Sequence, residues 1–358
     1  MAQTLIGRRE FLQGAGLVFA TLLTENQAHA LSHTDTIYAS AFQTPENTHG
    51  FALFSQDGNV LSEHRLVGRG HGFASNIATG WNVAFARAPG NFALAFKRAG
   101  DAPPLAFSAP EGRHFYGHGA FSIDGRFLYA TENDFHNDAG VIGIYETGNA
   151  WRRIGEYPSG GIGPHEMLLA ADGKSLWVAN GGILTHPESG KAKLNLDTMR
   201  SSIAMVDLKD GTIKGRWETL AHLQRLSLRH MALDAHGALW IGSQYEGTGT
   251  DSVPLIAHCA MDKPLTFVDL QQGMQAHLRN YIGSVASSAD GNRIGFTSPV
   301  GGARLVIDAS SGKQDLQVEP SVCGIAGRGP GFVVSTETGD LDGRRHDRFW
   351  DNHIMRIA

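Results

Sequence analysis

Seventeen histidines occur in 358 residues. Four of them, His71, His118, His165 and His230, stand at one recurring point of the sequence. The first three are spaced by 47 residues each, and His230 follows after 65. His353, in Trp350-Asp351-Asn352-His353, is a fifth candidate for the same set. Gathered in space, neutral imidazoles can bind a transition metal, with copper, zinc and iron all suited to nitrogen donors. They can also relay protons or act as general bases. A third role is structural: histidine can fill a polar channel while bonded to carbonyls and water. The residues alone leave all three open.

Register complicates the set. Counted back from the next turn glycine, His118 and His230 stand seven residues away, whereas His165 stands eight away. A slip of one residue turns a strand side chain to the opposite face. Either a bulge or a longer turn absorbs the extra residue, or Glu166 takes the inward place; both residues are kept as candidate ligands. Glu132, Asn133, Asn180 and Glu246 recur at the far ends of the same hairpins, with Asp134 beside the first pair, and Asp351 and Asn352 precede His353. These acidic and amide groups are the candidates for binding a cofactor, although each alone also suits a turn or a surface charge. Arg113, His114 and Arg229 can neutralise a bound anion or form salt bridges.

Residues so far apart meet only if the chain repeats, and it does. Tyr116-Gly-His118 leads through Asp124-Gly125 to Phe127-Leu-Tyr-Ala-Thr-Glu132, and Gly163-Pro-His165 leads through Asp172-Gly173 to Leu176-Trp-Val-Ala-Asn180. Leu228-Arg-His230, then His236-Gly237, then Leu239-Trp-Ile repeat the pattern. Fainter copies begin at Arg69, Gly283 and Cys323. Each unit reads as an apolar strand, a glycine turn and a second strand rich in Leu, Trp, Tyr and Val, which is a hairpin signal. Two more strands follow in most units, and four strands recurring every ~40–50 residues describe a propeller blade. The expected fold is therefore all-β: a seven-bladed β-propeller closed by N- and C-terminal strands. Ile37-Tyr38-Ala39 should pair with Ile354 to Ile357 in one mixed blade. The first strand of a blade is innermost, so the histidines should ring the axis at one mouth of the channel. The longer step to His230 implies an insertion in blade four, over Ile183 to Arg200, and a short helix is expected over Leu270 to Tyr281. Two β-sandwiches are the rival fold, but no linker interrupts the repeat.

Composition agrees. Apolar residues make up 42% of the chain, charged residues only 18%, and 45 residues are glycine. That balance fits many short strands joined by tight turns and excludes wholesale disorder. A net charge of −5 gives no footprint for a polyanion, so nucleic acid is not an expected partner. Gly173-Lys174-Ser175 lacks the first glycine of a phosphate loop, because Leu168 stands there. Gly68-Arg-Gly70-His-Gly72 lacks the strand–helix setting of a dinucleotide site, and no serine carries glycines at both −2 and +2. Cys259 and Cys323 are either one disulfide or two buried thiols. At the N-terminus, Arg8-Arg9, the apolar run Gly14 to Leu23 and Ala28-His29-Ala30 form a twin-arginine export signal. Residues 1–30 are then a signal peptide and 31–358 the propeller, located in the periplasm. The apolar run falls short of the ~20 residues a bilayer span needs, so no transmembrane segment is expected in the mature chain.

Phe85-Ala-Arg87-Ala-Pro89, Gly117-His118-Gly119, Thr131-Glu132-Asn133-Asp134 and Gly160-Gly-Ile-Gly-Pro164-His165-Glu166 continue into Val178-Ala-Asn180-Gly-Gly-Ile183, Thr185-His186-Pro187, Lys193-Leu-Asn195-Leu-Asp197, Gln244-Tyr-Glu246 and Trp350-Asp351-Asn352-His353. Together these segments resemble the exported bacterial family catalogued as domain of unknown function 1513. The blades also resemble quinoprotein-dehydrogenase-like, surface-layer (YVTN) and WD40-like propellers. The resemblance implies a seven-bladed propeller, no established activity, and a setting beside imelysin-type and dihaem periplasmic proteins of iron uptake. His186, Asn195 and Asp197 on the inserted loop are further candidates, or Asx-turn anchors of that loop. The expected function is a binding or accessory role in iron or copper acquisition, with His71, His118, His165, His230 and His353 as metal ligands. An oxidoreductase-like enzyme using the same histidines, and a protein-interaction scaffold without metal, are the alternatives.

Overall fold

The computed structural model describes residues 24–98, 102–190 and 192–357. Arg8-Arg9 and the run Gly14 to Leu23 lie outside the described residues. Among those described, twenty-eight strands, β1 to β28 in chain order, form seven four-stranded antiparallel sheets around an axis. Blade one is mixed: the last strand, β28 (Phe349–Arg356), lies innermost and pairs with β1 (Ile37–Gln43), outside which β2 (His49–Ser55) and β3 (Val60–Leu66) follow. Tyr38 faces Arg356 and Ser40 faces Ile354, so the two ends of the propeller share one ladder, as the sequence predicts. Closing the ring this way removes the exposed edge that an open sheet would present.

Blades two to seven run inside to out in chain order. Their innermost strands are β4 (Gly70–Asn76), β8 (Arg113–Phe121), β12 (Pro164–Leu169), β16 (Leu226–Leu233), β20 (Ser284–Ser287) and β24 (Val322–Arg328). The glycine turn that ends each inner hairpin requires a left-handed residue, and Gly125, Gly173, Gly237 and Gly291 hold φ between +64° and +78°. In the Asp-Gly turns an aspartate secures the corner. Asp124 accepts from the Ser122 hydroxyl (2.6 Å) and the Arg126 N–H (3.1 Å). Apolar faces of neighbouring blades form the core. Phe51 of blade one packs edge-on against Phe73 of blade two (5.8 Å between ring centres) and against Phe96 (4.7 Å).

The step from His165 to His230 is filled as expected. After β13 (Ser175–Asn180) the chain leaves the blade, crosses the face of the propeller and returns at β14 (Ser202–Asp207). A helix does lie between blades five and six, but it is shorter than the sequence suggests, α2 spanning Met274–Leu278. Helix α1 (Glu25–Ser32) covers Ala28-His29-Ala30 and starts on a capping box between Thr24 and Gln27; it tucks Leu31 into the core. Among the described residues no helix is long and apolar enough to cross a membrane. Cys259 and Cys323 lie in different blades and are unpaired and buried.

Candidate functional site: an axial histidine ring

The five histidines lie within the innermost strands rather than ahead of them, because those strands begin earlier than the repeats suggest. At each histidine the ladder is interrupted. His165 is an extra residue between the Pro164–Asn180 and Glu166–Ala179 pairs. Arg229 is the extra residue beside His230, between Leu228–Ser243 and His230–Gly242. His71 and Gly72 together oppose one residue of β5 (Trp81–Ala86), Phe85. In the same way Tyr116, Gly117 and His118 oppose only Thr131, and Asp351, Asn352 and His353 oppose only Ala41. Of the two inner strands that carry no histidine, that of blade six pairs without a break, whereas that of blade seven also bulges, with Cys323 and Gly324 opposite Ser335. A bulge re-aims side chains and strengthens local twist, and here it turns the imidazoles into the channel. The offset count at His165 is thereby explained: a bulge absorbs the extra residue, and both His165 and Glu166 reach the axis.

There the rings are in mutual contact. His353 stands 4.5 Å from His71, 4.7 Å from His118 and 4.8 Å from His230, centre to centre. His165 stands 4.7 Å from His230 and 5.4 Å from His118. One ligand nitrogen each from His71, His118 and His165 falls within 4.8 Å of the other two, and the same holds for His118, His230 and His353. His118 belongs to both trios. Two glycines make room: a Cβ on Gly72 would lie 2.8 Å from Nδ1 of His118, and one on Gly117, at φ +103°, would lie 2.7 Å from Cδ2 of His71.

Two carboxylates stand behind the ring. Asp351 accepts from Nδ1 of His71 at 2.9 Å, and its second oxygen takes Arg69 Nε and an Arg87 guanidinium nitrogen, both at 2.9 Å. Glu166 accepts from Nδ1 of His230 at 3.2 Å and from the Met231 N–H at 3.0 Å, with its other oxygen 3.9 Å from Nδ1 of His118. A carboxylate on one ring nitrogen fixes the tautomer and leaves the other nitrogen with a lone pair, as around many bound metals. Burial lowers all five imidazoles from their usual 6.5, four of them far below it, so the ring is neutral at pH 7. Burial pushes Glu166 up. For Asp351 burial works in the same direction, but Arg87, His71 and Arg69 together outweigh it and hold the carboxyl well below 3.8. Nε2 of His118, His165 and His353 is buried and has no hydrogen-bond partner.

The ring divides the channel. On the side where the inner strands enter, a cavity of about 240 Å³ borders His71, His165 and His230, and the blade-four loop closes over it with Ile183, Thr185 and Lys193. On the exit side a cavity of about 350 Å³ borders His118, Glu166 and His353, with walls that include Leu168, Met231, Val285 and Ile325. Four of the histidines are thus buried, and His165 half-buried, between two cavities rather than set at an open mouth.

The remaining candidates divide. Asn352 lines the entry-side cavity beside Asp351. Glu246 stands behind that cavity, bonded to Arg229 at 3.1 Å and to Lys193. Asn133 donates to Thr185 O at 2.9 Å and so ties the loop to blade three, with His114 Nε2 3.0 Å away. Glu132 lines neither cavity; Tyr145 (2.6 Å) and Arg153 (2.8 Å) hold its carboxylate inside blade three. Asn180 is buried and donates to Ser159 O. Arg113 is tied to Asp134 at 2.6 Å, and His114 lines the entry-side cavity. On the loop, Asn195 bonds the Leu184 N–H and Gly182 O, Asp197 pairs with Arg225, and His186 caps a 3-10 turn. Arg87, Tyr116, Gln244 and Tyr281, all facing the entry-side cavity, were not singled out by spacing. They stand outside the histidine period, and only the bulges and the loop bring them in.

The family model described as protein of unknown function (DUF1513) matches residues 64–357. No curated protein matches the chain in sequence. Among solved structures, hydrazine synthase from Kuenenia stuttgartiensis superposes with a TM-score of 0.58 at 10% identity, covering 82% of this chain and 91% of that one. The Cps50 (Swd1) β-propeller domain of Myceliophteria thermophila superposes with the same TM-score at 11% identity, covering 90% and 98%. Likeness at that identity extends to the propeller fold alone.

Proposed function

We propose that this chain, which belongs to the DUF1513 family of proteins of unknown function, is a metal-binding propeller that holds one transition-metal ion, iron or copper, in its axial histidine ring. The observation that carries the reading is the set of unpartnered nitrogens. Nε2 of His118, His165 and His353 is buried and unbonded inside a cluster whose donor atoms converge in two trios. An unsatisfied buried polar atom costs roughly 1–3 kcal/mol, and a bound cation would satisfy several at once. The donors match the ion: neutral imidazoles suit copper and iron, and the two carboxylates stand behind the rings, where they raise ligand basicity. His118 is the central ligand, completed by His71 and His165 or by His230 and His353. Three protein ligands leave coordination positions open, as in metal sites that exchange or transform a ligand.

The setting we assign is the periplasm, reached through the twin-arginine pathway, with an accessory role in iron acquisition beside imelysin-type and dihaem proteins. Support for that setting is the paired arginines and the resemblance of the sequence, not the site. Titration of the metal-free protein with Cu(II) or Fe(II) tests the metal reading. One equivalent should bind and quench the intrinsic fluorescence, and His118→Gln should abolish that binding. Wild-type protein that binds neither ion contradicts the reading.

A further inference from the structure

We infer that the entry-side cavity binds a small polycarboxylate anion, held by Arg87 and Arg229 next to the histidine ring. The inference adds a ligand class to the metal reading and rests on it only for the ligand's second attachment point. Cationic and polar side chains are set into a partly apolar wall: Arg87, Arg229, Lys193, Tyr116, Gln244 and Asn352 all face the cavity. In direct ion pairs the cations outnumber the carboxylates. Arg69 and Arg87 share the one carboxylate of Asp351, while Arg229 and Lys193 share the one carboxylate of Glu246. Arg87 and Arg229 line the cavity together with His71, His165 and His230. The buried Nε2 of His165 borders this same cavity without a partner.

Arginine matches a carboxylate in plane and in spacing, and a site enclosed by protein strengthens such charge-assisted bonds. The opposite side of the ring is less cationic: its wall carries Arg356 among Leu168, Met231, Val285, Ile325 and Met355, against Arg87, Lys193 and Arg229 on the entry side. Volume limits the occupant. About 240 Å³ is below the ~300 Å³ at which pockets for drug-sized ligands begin, so the ligand is a compact di- or tricarboxylate. One carboxylate would lie between the two guanidinium groups, and another would face the open coordination position of the metal. Lys193 lies on the blade-four loop, so the anion would also draw that loop down.

Calorimetric titration with citrate, with glycerol as the uncharged control, tests this on metal-free and metal-loaded protein. Citrate should bind both forms, more tightly when metal is present, and glycerol should bind neither. Arg229→Gln should weaken citrate at least about tenfold, the loss of one charge-assisted bond, while metal content stays unchanged. Lys193→Gln, at the more exposed loop position, gives a second and smaller loss should the first variant fold poorly. Citrate binding that is equal in wild type and both variants overturns the inference, and so does wild-type protein that takes up no citrate. Citrate binding that depends on Arg229 in a protein that takes up no metal would overturn the metal reading and leave the anion pocket standing.

Discussion

Nδ1 of His71 lies 2.9 Å from Oδ1 of Asp351, a bond that spans 280 residues of chain. It ties blade two to the closing strand, and it also fixes which nitrogen of His71 faces the axis. One contact therefore serves ring closure and the geometry of the histidine cluster together. Arg69 and Arg87 hold the same carboxylate from outside.

Asp351→Asn tests that double role. The amide keeps the shape but loses the charge, so His71 loses its fixed tautomer and two arginines lose their counter-ion. Metal affinity should fall about 10–100-fold, the usual cost of losing a group that orients a ligand. Competition against a chelator of known affinity measures it. An unchanged affinity would mean that Asp351 only braces the closing strand.

Glu132 should behave in the opposite way. Its buried carboxylate is bound by Arg153 and Tyr145, and it lines neither cavity. Breaking a buried pair by removing one partner costs about 3–5 kcal/mol. Glu132→Ala should lower the denaturant midpoint accordingly and leave the metal content of the folded fraction intact. Loss of metal from well-folded Glu132→Ala protein would place this carboxylate within the site after all.

Acid should destabilise the protein through histidines outside the ring. Burial against Phe51 lowers the pKa of His64 from 6.5 to about 4, and burial likewise takes His114 to about 4. The unfolded chain gains these protons near pH 6.5, the folded chain only near pH 4. The stabilisation is whole above pH 6.5 and is lost as the pH falls from there towards 4. Thermal unfolding midpoints of metal-free protein should drop across that window, and His64→Phe, which keeps the stacking, should flatten part of the drop. Parallel profiles for wild type and variant would contradict this assignment.

Much of the fold can be read from sequence because a propeller repeats a local signal. The Asp-Gly corners follow from residues close together within each unit, the 47-residue step between His71, His118 and His165 from the repetition of that unit, and the pairing of Tyr38 with the C-terminal strand from the need to close the ring. The inserted loop is legible as a broken period. The outer parts of the site are not. Whether Asp351 backs His71, or Glu166 backs His230, depends on bulges that shift one residue against another, and a bulge leaves only an offset count in the sequence. Arg87 reaches the cavity from just past the end of the second strand of blade two (Trp81–Ala86), outside the period that marks the histidines. Glu132 shows the converse. It follows the repeat closely, yet its side chain crosses its own blade to Arg153 instead of facing the channel.

The central claim is that the histidine ring holds a metal, and elemental analysis of the purified protein tests it most directly. One equivalent of iron or copper is expected per chain, falling to background in His118→Gln, because His118 is shared by both trios. Metal present only in traces, at the same level in wild type and in His118→Gln, would show that the ring is polar lining and not a binding site.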